Sequence, residues 1–514
     1  MKDIKMKNAF AEFDDALSDV IAKPALSLVK AGKVEIRFED IVDDEPADDD
    51  EETFDGVLSK FSQDAWACAL GRAGWNQDAK FIDELGTWVF FDGNIFVPDR
   101  KLKAYTLIRG FSRARVRELV LEATDDKSRV AAIKQGKDML QKSSIAAVES
   151  LTQSNVQISS CVEDFDKDLF LIGTPGGVVD LKTGEMREGR RSDMITKSTA
   201  VTPAEQGSTP VRFLEVLDQV FEGDVEVMGF MQRYLGYALT GCTTEHKIVF
   251  CHGGGRNGKG IVINTTFALF GDYGRRIPIE TLLKKLTGHP TDLAGLAGAR
   301  MVVGSEVPAG TTWNEAILKD ITGGDPITAR KMRQDYFDYI PQFSMFLHGN
   351  DQPAFRSVGV SIRERMVLVP FNRTFTEDER NIHLQQELID EEGPEILRWI
   401  IDGAAEWVHR SKGGKSGLGV PAKLKAESAE YFDREDEIKN FIDEELVVDP
   451  DAFISSDELH QKFRQWIEQC GGEQKSKREV MKEMRKAGFQ DKSTGNTRGL
   501  KGIRSKTGLD RREK

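Results

Sequence analysis

Residues 248–270 read IVFCHGGGRNGKGIVINTTFALF: an apolar run, a cluster of glycines, then Ile261, Ile263, Phe267, Leu269 and Phe270 at roughly helical spacing. The order predicts a strand, a glycine-rich loop and a helix. Glycines let backbone N–H groups converge on an anion, a helix N-terminus adds its dipole, and a lysine supplies a mobile positive charge. Gly253, Gly254, Gly255, Arg256, Asn257, Gly258, Lys259, Gly260 and Ile261 are therefore candidate phosphate-binding positions. A G-x4-G-K string alone arises by chance about once in several chains of this length, so the flanking strand and helix carry most of the weight. The string is irregular at its end. Gly260 stands where the usual motif has Ser or Thr to bind Mg²⁺, so a water or a hydroxyl of Thr265 or Thr266 would have to substitute.

Outward from the loop, phosphoryl chemistry needs an acid at the end of a neighbouring strand, to hold the metal and polarise water. The run from Ala299 to Ser305 is apolar and leads to Glu306, which makes Ser305 and Glu306 the candidate metal residues. Phe343–Gly349 is a second apolar run leading to Asn350, whose amide can orient a water against a terminal phosphate. A third, Met366–Phe371, follows Arg363 and Arg365. Arginines at a strand edge can reach a neighbouring subunit's nucleotide; a surface ion pair with Glu364 or another acid is the competing role for either. Between Glu306 and Asn350, the basic Arg330, Lys331 and Arg333 sit beside Tyr336, Phe337 and Tyr339. Basic groups for phosphates and rings for stacking suit sequence-tolerant single-strand binding, with Lys331 foremost, unless the rings belong to the core.

The remaining chain supports a DNA-linked reading. Its 514 residues allow two to four domains, and 39% hydrophobic with 30% charged residues fits a globular protein. No apolar run approaches the ~20 residues of a membrane span, so no membrane partner is expected. The acidic start lacks a signal-peptide pattern, and five scattered cysteines without a CxxC pair fit a reducing cytoplasm. The net charge of −14 is uneven: residues 39–52 hold ten acids in fourteen positions, whereas residues 473–514 hold fourteen Lys/Arg against six Asp/Glu. Such a basic end suggests a nucleic-acid contact, with a solvated tail as the alternative.

Residues 88–99, WVFFDGNIFVPD, predict two short strands about Asp92-Gly93-Asn94, and Lys182-Thr183-Gly184 predicts a second hairpin. Residues 212–240 are helical in period. Residues 392–411 predict a helix, and 413–421 (GGKSGLGVP) a breaker-rich linker. Beyond it, Leu459, Phe463, Trp466 and Ile467 make one helical stripe, SKREVMKEMRKAGF a second helix with a basic outer face, and TGNTRGLKGIRS a basic hairpin. Helix, helix, wing is a DNA-binding arrangement.

Taken in order, GGGRNGKG, VVGSE, ILKDITGGDPITARKM, FLHGNDQPAF and IRERMVLVPF resemble the motifs of superfamily 3 helicases, in particular the helicase part of phage and plasmid primase-helicases. Residues 235–241 (LGYALTG), the DLFLIGTPGGVVDLKTGEM segment and SSDELHQKFRQWIEQCGG resemble other parts of that family. The resemblance runs from about residue 80 to 505 and is densest at 235–371. It implies an α/β fold: an AAA+-like P-loop ATPase core at 216–412, preceded by a mixed α+β domain at 56–215 and followed by a winged-helix-like domain at 422–514. Residues 1–55 form an N-terminal helix and acidic segment in this division. It further implies a homo-hexameric ring hydrolysing ATP with Mg²⁺ around single-stranded or forked DNA, in the host cytoplasm. Lys259 is then the phosphate lysine, Glu306 the Mg²⁺ and water carboxylate, Asn350 the sensor and Arg365 the finger, with Arg363 in reserve. Fewer than about 80 residues precede the first resemblance, so no primase domain is expected and a separate primase or polymerase becomes a candidate partner. Two other functions stay open on the residues: a small-molecule kinase, and an initiator or DNA-binding ATPase without processive unwinding.

Overall fold

Early in the chain, Trp75, Phe81, Trp88 and Phe90 meet edge to face at 5.4–5.9 Å, and this aromatic cluster packs the first sheet. In the computed structural model, residues 61–283, 290–305, 311–331, 335–350, 355, 360–435, 437–469, 474–495 and 497–506 are described. The acidic run, the helix expected before it, Glu306, Arg333 and Gly471-Gly472 lie outside them. The chain divides into two compact units, residues 1–179 with 186–198, and residues 180–185 with 199–514.

The first unit opens with α1 (Gln63–Leu70), then β1 (Ala79–Ile82), β2 (Thr87–Phe91) and β3 (Phe96–Pro98). The strands predicted about Asp92 are β2 and β3, paired antiparallel from Val89↔Pro98 to Phe91↔Phe96. The Asp92 carboxylate closes their turn by accepting the backbone N–H groups of Asn94 and Ile95. Helices α2 (Lys103–Leu121), α3 (Asp126–Met139) and α4 (Lys142–Gln153) follow, and β4 (Ser159–Ser160) joins β1 in parallel, giving the order β3-β2-β1-β4. Asp99 starts α2 by accepting the N–H groups of Lys101, Lys103 and Ala104. The second predicted hairpin is also present: β5 (Leu171–Thr174), β6 (Gly177–Asp180) and β7 (Glu185–Arg187) form a sheet in that order.

In the second unit the helical stretch expected over 212–240 is two helices, α5 (Val211–Phe221) and α6 (Val225–Thr240). The break is conformational. Glu222 and Gly223 have φ of 55° and 78°, outside the right-handed helix, and Asp224 restarts the chain by accepting the N–H of Val227. Phe213, Val216, Leu217, Val220 and Phe221 of α5 form the buried stripe their spacing predicts.

Five strands then form one parallel sheet: β8 (Ile248–His252), β9 (Gly274–Ile277), β10 (Met301–Ser305), β13 (Ser344–Gly349) and β14 (Met366–Pro370). Helix α7 (Lys259–Leu269) follows β8, and α8 (Glu315–Gly323) with the hairpin of β11 (Ile327–Arg330) and β12 (Tyr336–Tyr339) lies between β10 and β13 in sequence. The strand order is β14-β8-β13-β10-β9. Strands β8, β10, β13 and β14 read as largely apolar runs because parallel strands are covered on both faces, whereas β9, at the sheet's edge, carries the exposed Arg275 and Arg276. Ile248, Phe250, Val302, Met345, Leu347 and Leu368 share one core with Trp313, Tyr431 and Phe432. The Tyr234 hydroxyl of α6 donates to the Met345 carbonyl at 2.9 Å, tying that helix to β13.

Helix α9 (Val360–Arg365) precedes β14, and α10 (Leu384–Arg410) begins well before the helix expected at 392, continuing through Pro394. The breaker-rich stretch after it is pinned: Glu245 accepts from Trp407 Nε1, Ser416 Oγ and Gly417 N at 2.6–2.7 Å. Next, α11 (Ala422–Glu435) lays Tyr431 and Phe432 into the sheet's core, whereas the residues that follow enclose their own. Those are α12 (Glu437–Glu445), β15 (Leu446–Ser455), α13 (Ser456–Gln469), α14 (Lys477–Lys486), β16 (Gln490–Thr494) and β17 (Thr497–Ser505). Leu459, Phe463, Trp466 and Ile467 are its buried stripe, and β17 is flanked by β15 and β16.

Candidate functional site

Because the five strands are parallel, their carboxyl ends emerge along one edge, where open α/β sheets leave a crevice. The pairings Gly349↔His252 and Ser305↔His348 place Gly253, Asn350 and Ser305 at that edge. The expected succession of strand, glycine loop and helix is there: β8 runs into Gly253–Gly258, and α7 starts at Lys259. Two glycines are required by space. A side chain at Gly253 (φ 155°) would begin 2.3 Å from the Phe371 carbonyl oxygen, and one at Gly258 (φ 82°) 2.6 Å from a Val220 methyl. Arg256 between them is exposed and holds φ of 53°, a conformation that side chains resist and that clusters at ligand-binding turns. Its carbonyl accepts from Phe375 N, which fixes the loop's apex.

Lys259 is 6% exposed. Its ammonium donates to Gly253 O at 2.8 Å, Asn257 Oδ1 at 3.0 Å and Asn350 Oδ1 at 3.3 Å. Burial holds its pKa below that of an ordinary lysine, with the neighbouring Cys251 pulling the other way. Burial also pushes the Cys251 thiol up to about 12, so it stays protonated. Asn257, 3% exposed, bridges the site: its Oδ1 takes the lysine while Nδ2 donates to Phe371 O at 3.0 Å. A cavity of about 370 Å³ opens above, lined by Gly255, Arg256, Asn257, Gly258, Lys259, Gly260, Ile261, Asn264, His348, Asn350 and Gln385.

This arrangement suits an anion with several oxygens: a helix N-terminus, a buried ammonium and two carboxamides face one cavity. Oxygen donors for a cation are fewer. Ser305 ends β10 at the same edge, and the loop offers no side-chain oxygen at 260. Mg²⁺ keeps several waters and is bound through one or two carboxylates beside phosphate, and the candidate carboxylate, Glu306, lies outside the described residues. Thr265 and Thr266 are both buried and neither lines the cavity; the Thr266 hydroxyl donates back to the Val262 and Ile263 carbonyls, whereas the Thr265 hydroxyl has no hydrogen-bond partner among the described residues.

The structure thus brings Lys259, Asn257 and Asn350 together, and does not bring Arg365 to them. Arg365 precedes Met366, which pairs with Ile248 at the amino end of the sheet, about 16 Å along the strand from the loop. Its guanidinium donates to Thr322 Oγ1 and Ser361 O, both at 3.0 Å. Arg363 pairs with Asp433 at 3.0 Å, the ion pair with an acid that is its competing role. On the hairpin, Arg330 and Lys331 are exposed and lie over the Tyr336 and Phe337 rings at 5.5 and 5.8 Å. Tyr336 is 61% exposed, whereas Tyr339 packs against the core and donates to Leu293 O. One ring is thus free to stack and another is structural. Arg478, Lys482 and Arg485 line the exposed face of α14, as its sequence predicts. Asn264, His348 and Gln385 were not apparent as lining residues; only Asn264, one turn beyond Gly260, carries a periodic signal that could have found it.

A family model described as D5 N terminal like matches residues 72–222, and one described as a family of unknown function (DUF5906) matches 251–363. "Putative helicase L207/L206" of Acanthamoeba polyphaga mimivirus is 26% identical over 325 residues, covering 59% of this chain and 34% of that protein. "Putative helicase 121R" of Invertebrate iridescent virus 3 is 23% identical over 452 residues, covering 74% and 47%. The chain therefore spans less than half the length of either relative. The solved "apo structure of NrS-1 C terminal region" aligns at 15% identity over 72% of this chain and 90% of that one, with a TM-score of 0.43. A D5 N terminal-like segment ahead of the glycine loop and a series of viral proteins named as putative helicases agree with the motif order, and it is these proteins that the chain is similar to.

Proposed function

We propose that the protein is an ATP-dependent DNA helicase of the superfamily 3 type, built on an AAA+-like P-loop core (216–412) and working as a hexameric ring on single-stranded and forked DNA. The observation that carries this is the buried Lys259 ammonium, held with Asn350 over a glycine loop at the carboxyl edge of a parallel sheet. In this reading the loop N–H groups and Lys259 bind the β- and γ-phosphates of ATP, and Asn350 orients the attacking water. Ser305 and Glu306 hold Mg²⁺, which supplies charge neutralisation at the phosphates. Arg365 faces the opposite end of its own sheet and so serves the nucleotide of a neighbouring subunit. The mixed α+β domain at 56–215 precedes this core. Arg330, Lys331 and Arg333 grip the DNA backbone while Tyr336 stacks on bases, and the winged-helix-like domain at 422–514 adds a second basic surface through α14 and the β16–β17 wing. A separate primase or polymerase would supply synthesis, in the host cytoplasm.

Strand displacement on 3′- and 5′-tailed forks, with and without Mg²⁺-ATP, tests this. Wild type should unwind with ATP, and Lys259→Ala and Glu306→Gln should not. Unwinding by Lys259→Ala at the wild-type rate would sink the motor reading. An initiator without processive unwinding would instead show DNA-stimulated hydrolysis with no displaced strand.

A further inference from the structure

A side chain at position 260 would project into open space, meeting only the Asn264 amide nitrogen, 3.7 Å from its first carbon, among the described residues. Asn264 lies one turn further along α7, is half-buried, and lines the same cavity as Lys259 and Asn350. Its Oδ1 accepts from Arg276 Nη2 at 2.8 Å, and the Arg276 guanidinium lies over the Phe267 ring at 4.6 Å. Arginine has only donors, so it selects the carboxamide oxygen and leaves the Asn264 NH₂ facing the space above Gly260. The alternative hydroxyls on this helix, at Thr265 and Thr266, are buried, and neither residue lines the cavity.

We propose that Asn264 is a phosphate-binding residue that takes the place of the hydroxyl missing at Gly260, donating an amide N–H directly to a phosphate oxygen of the bound nucleotide, with Arg276 as its positioning residue. The inference rests on the nucleotide-binding reading above and sharpens it. A hydroxyl at position 260 acts through a divalent cation; an amide donor does not. The contribution of Asn264 to nucleotide affinity is therefore independent of Mg²⁺.

The test is titration of the full chain with a fluorescent ADP analogue, once with Mg²⁺ and once with EDTA. Asn264→Ala should weaken binding about tenfold, by the same factor in both buffers, as the loss of one charge-assisted hydrogen bond does. Asn264→Asp should weaken it further in EDTA, because its charge opposes phosphate. Arg276→Ala should weaken binding less, and the double variant should bind no worse than Asn264→Ala, since the arginine acts through the asparagine. Unchanged affinity in Asn264→Ala overturns the proposal. A loss confined to Mg²⁺ also overturns it, because the carboxamide would then be a cation ligand. Lys259→Ala runs alongside: if it binds ADP like wild type, the nucleotide reading itself fails, whereas a loss there with intact binding in Asn264→Ala refutes only the role of Asn264.

Discussion

Replacing Lys259 by methionine separates what this residue does for the fold from what it does for a ligand. Methionine fills similar volume without the charge. The ammonium's pKa lies below the ordinary lysine value because of burial, so its surroundings, three acceptors included, favour the charged form less than water does. Loss of the charge should consequently cost the ligand-free protein little. Gly253 O and the Asn257 and Asn350 oxygens lose a donor, but the two asparagines border an open cavity of about 370 Å³ and can be rehydrated. The expected change in stability is within about 1 kcal/mol of zero, or roughly 2–4 °C in melting temperature. Nucleotide binding should respond differently. Truncating one partner of a desolvated charge contact costs about 2–5 kcal/mol, which is roughly 30- to several-thousand-fold in affinity. Thermal unfolding without nucleotide, beside ADP titration, reads both quantities. A melting temperature lowered by more than about 8 °C would refute the reasoning, since the ammonium would then be a structural group. ADP affinity equal to wild type would refute it from the other side.

Arg365→Ala should leave ADP affinity within about twofold of wild type while ATP hydrolysis by the assembled protein falls about 10³-fold, as removal of an arginine finger does; a parallel loss of ADP affinity would place Arg365 in its own subunit's site and end the trans assignment. Arg330→Ala and Lys331→Ala should each lower the salt dependence of single-stranded DNA binding by about 0.7 in log–log slope for every phosphate left unneutralised, and slopes equal to wild type would show that the hairpin does not touch the backbone. Asp166 gives a pH prediction. Burial alone would raise its pKa, but the Lys197 ammonium at 2.8 Å and hydrogen bonds from Thr196 hold it below the ordinary aspartate value. A carboxylate with a depressed folded pKa contributes stability that is present above its unfolded pKa, about 4, and is lost as pH falls through the folded value. Asp166→Asn should therefore lower the melting temperature at pH 7 and flatten the fall below about pH 4; an acid limb as steep as wild type's would remove Asp166 from that role.

How much of this was legible in the sequence depended on the kind of signal. Period and turn chemistry carried well: the buried stripes of α5 and α13, and the hairpin closed by Asp92, are local patterns with local causes. Boundaries set by one residue's backbone did not. Glu222 is an ordinary helix former, and nothing in its identity announces the left-handed φ that divides 212–240 into two helices. The linker at 413–421 reads as loose because glycine and proline dominate it. What fixes it is Glu245, about 170 residues earlier, which accepts from Ser416 and Gly417. Long-range capture of this kind has no period to detect.

The same distinction runs through the site. Gly253–Lys259 is contiguous, and the strand, loop and helix there followed from its own residues. That Asn350 would meet Lys259 across 91 positions followed only from the expectation that both end strands of one parallel sheet, which the Gly349↔His252 register satisfies. The identity of the residues that meet was legible too, but its meaning was not until their geometry was seen. The three acceptors that hold the ammonium are a carbonyl and two carboxamides, all neutral. A carboxylate at 257 or 350 would bind the lysine as an ion pair, and an arriving phosphate would have to break a contact as strong as the one it forms. Against neutral acceptors a phosphate oxygen wins, because its charge strengthens the new hydrogen bond and the displaced carboxamides regain water or turn to the ligand. Asparagine at both positions therefore keeps Lys259 ordered and available at once, a property set by side-chain chemistry rather than by the loop's shape.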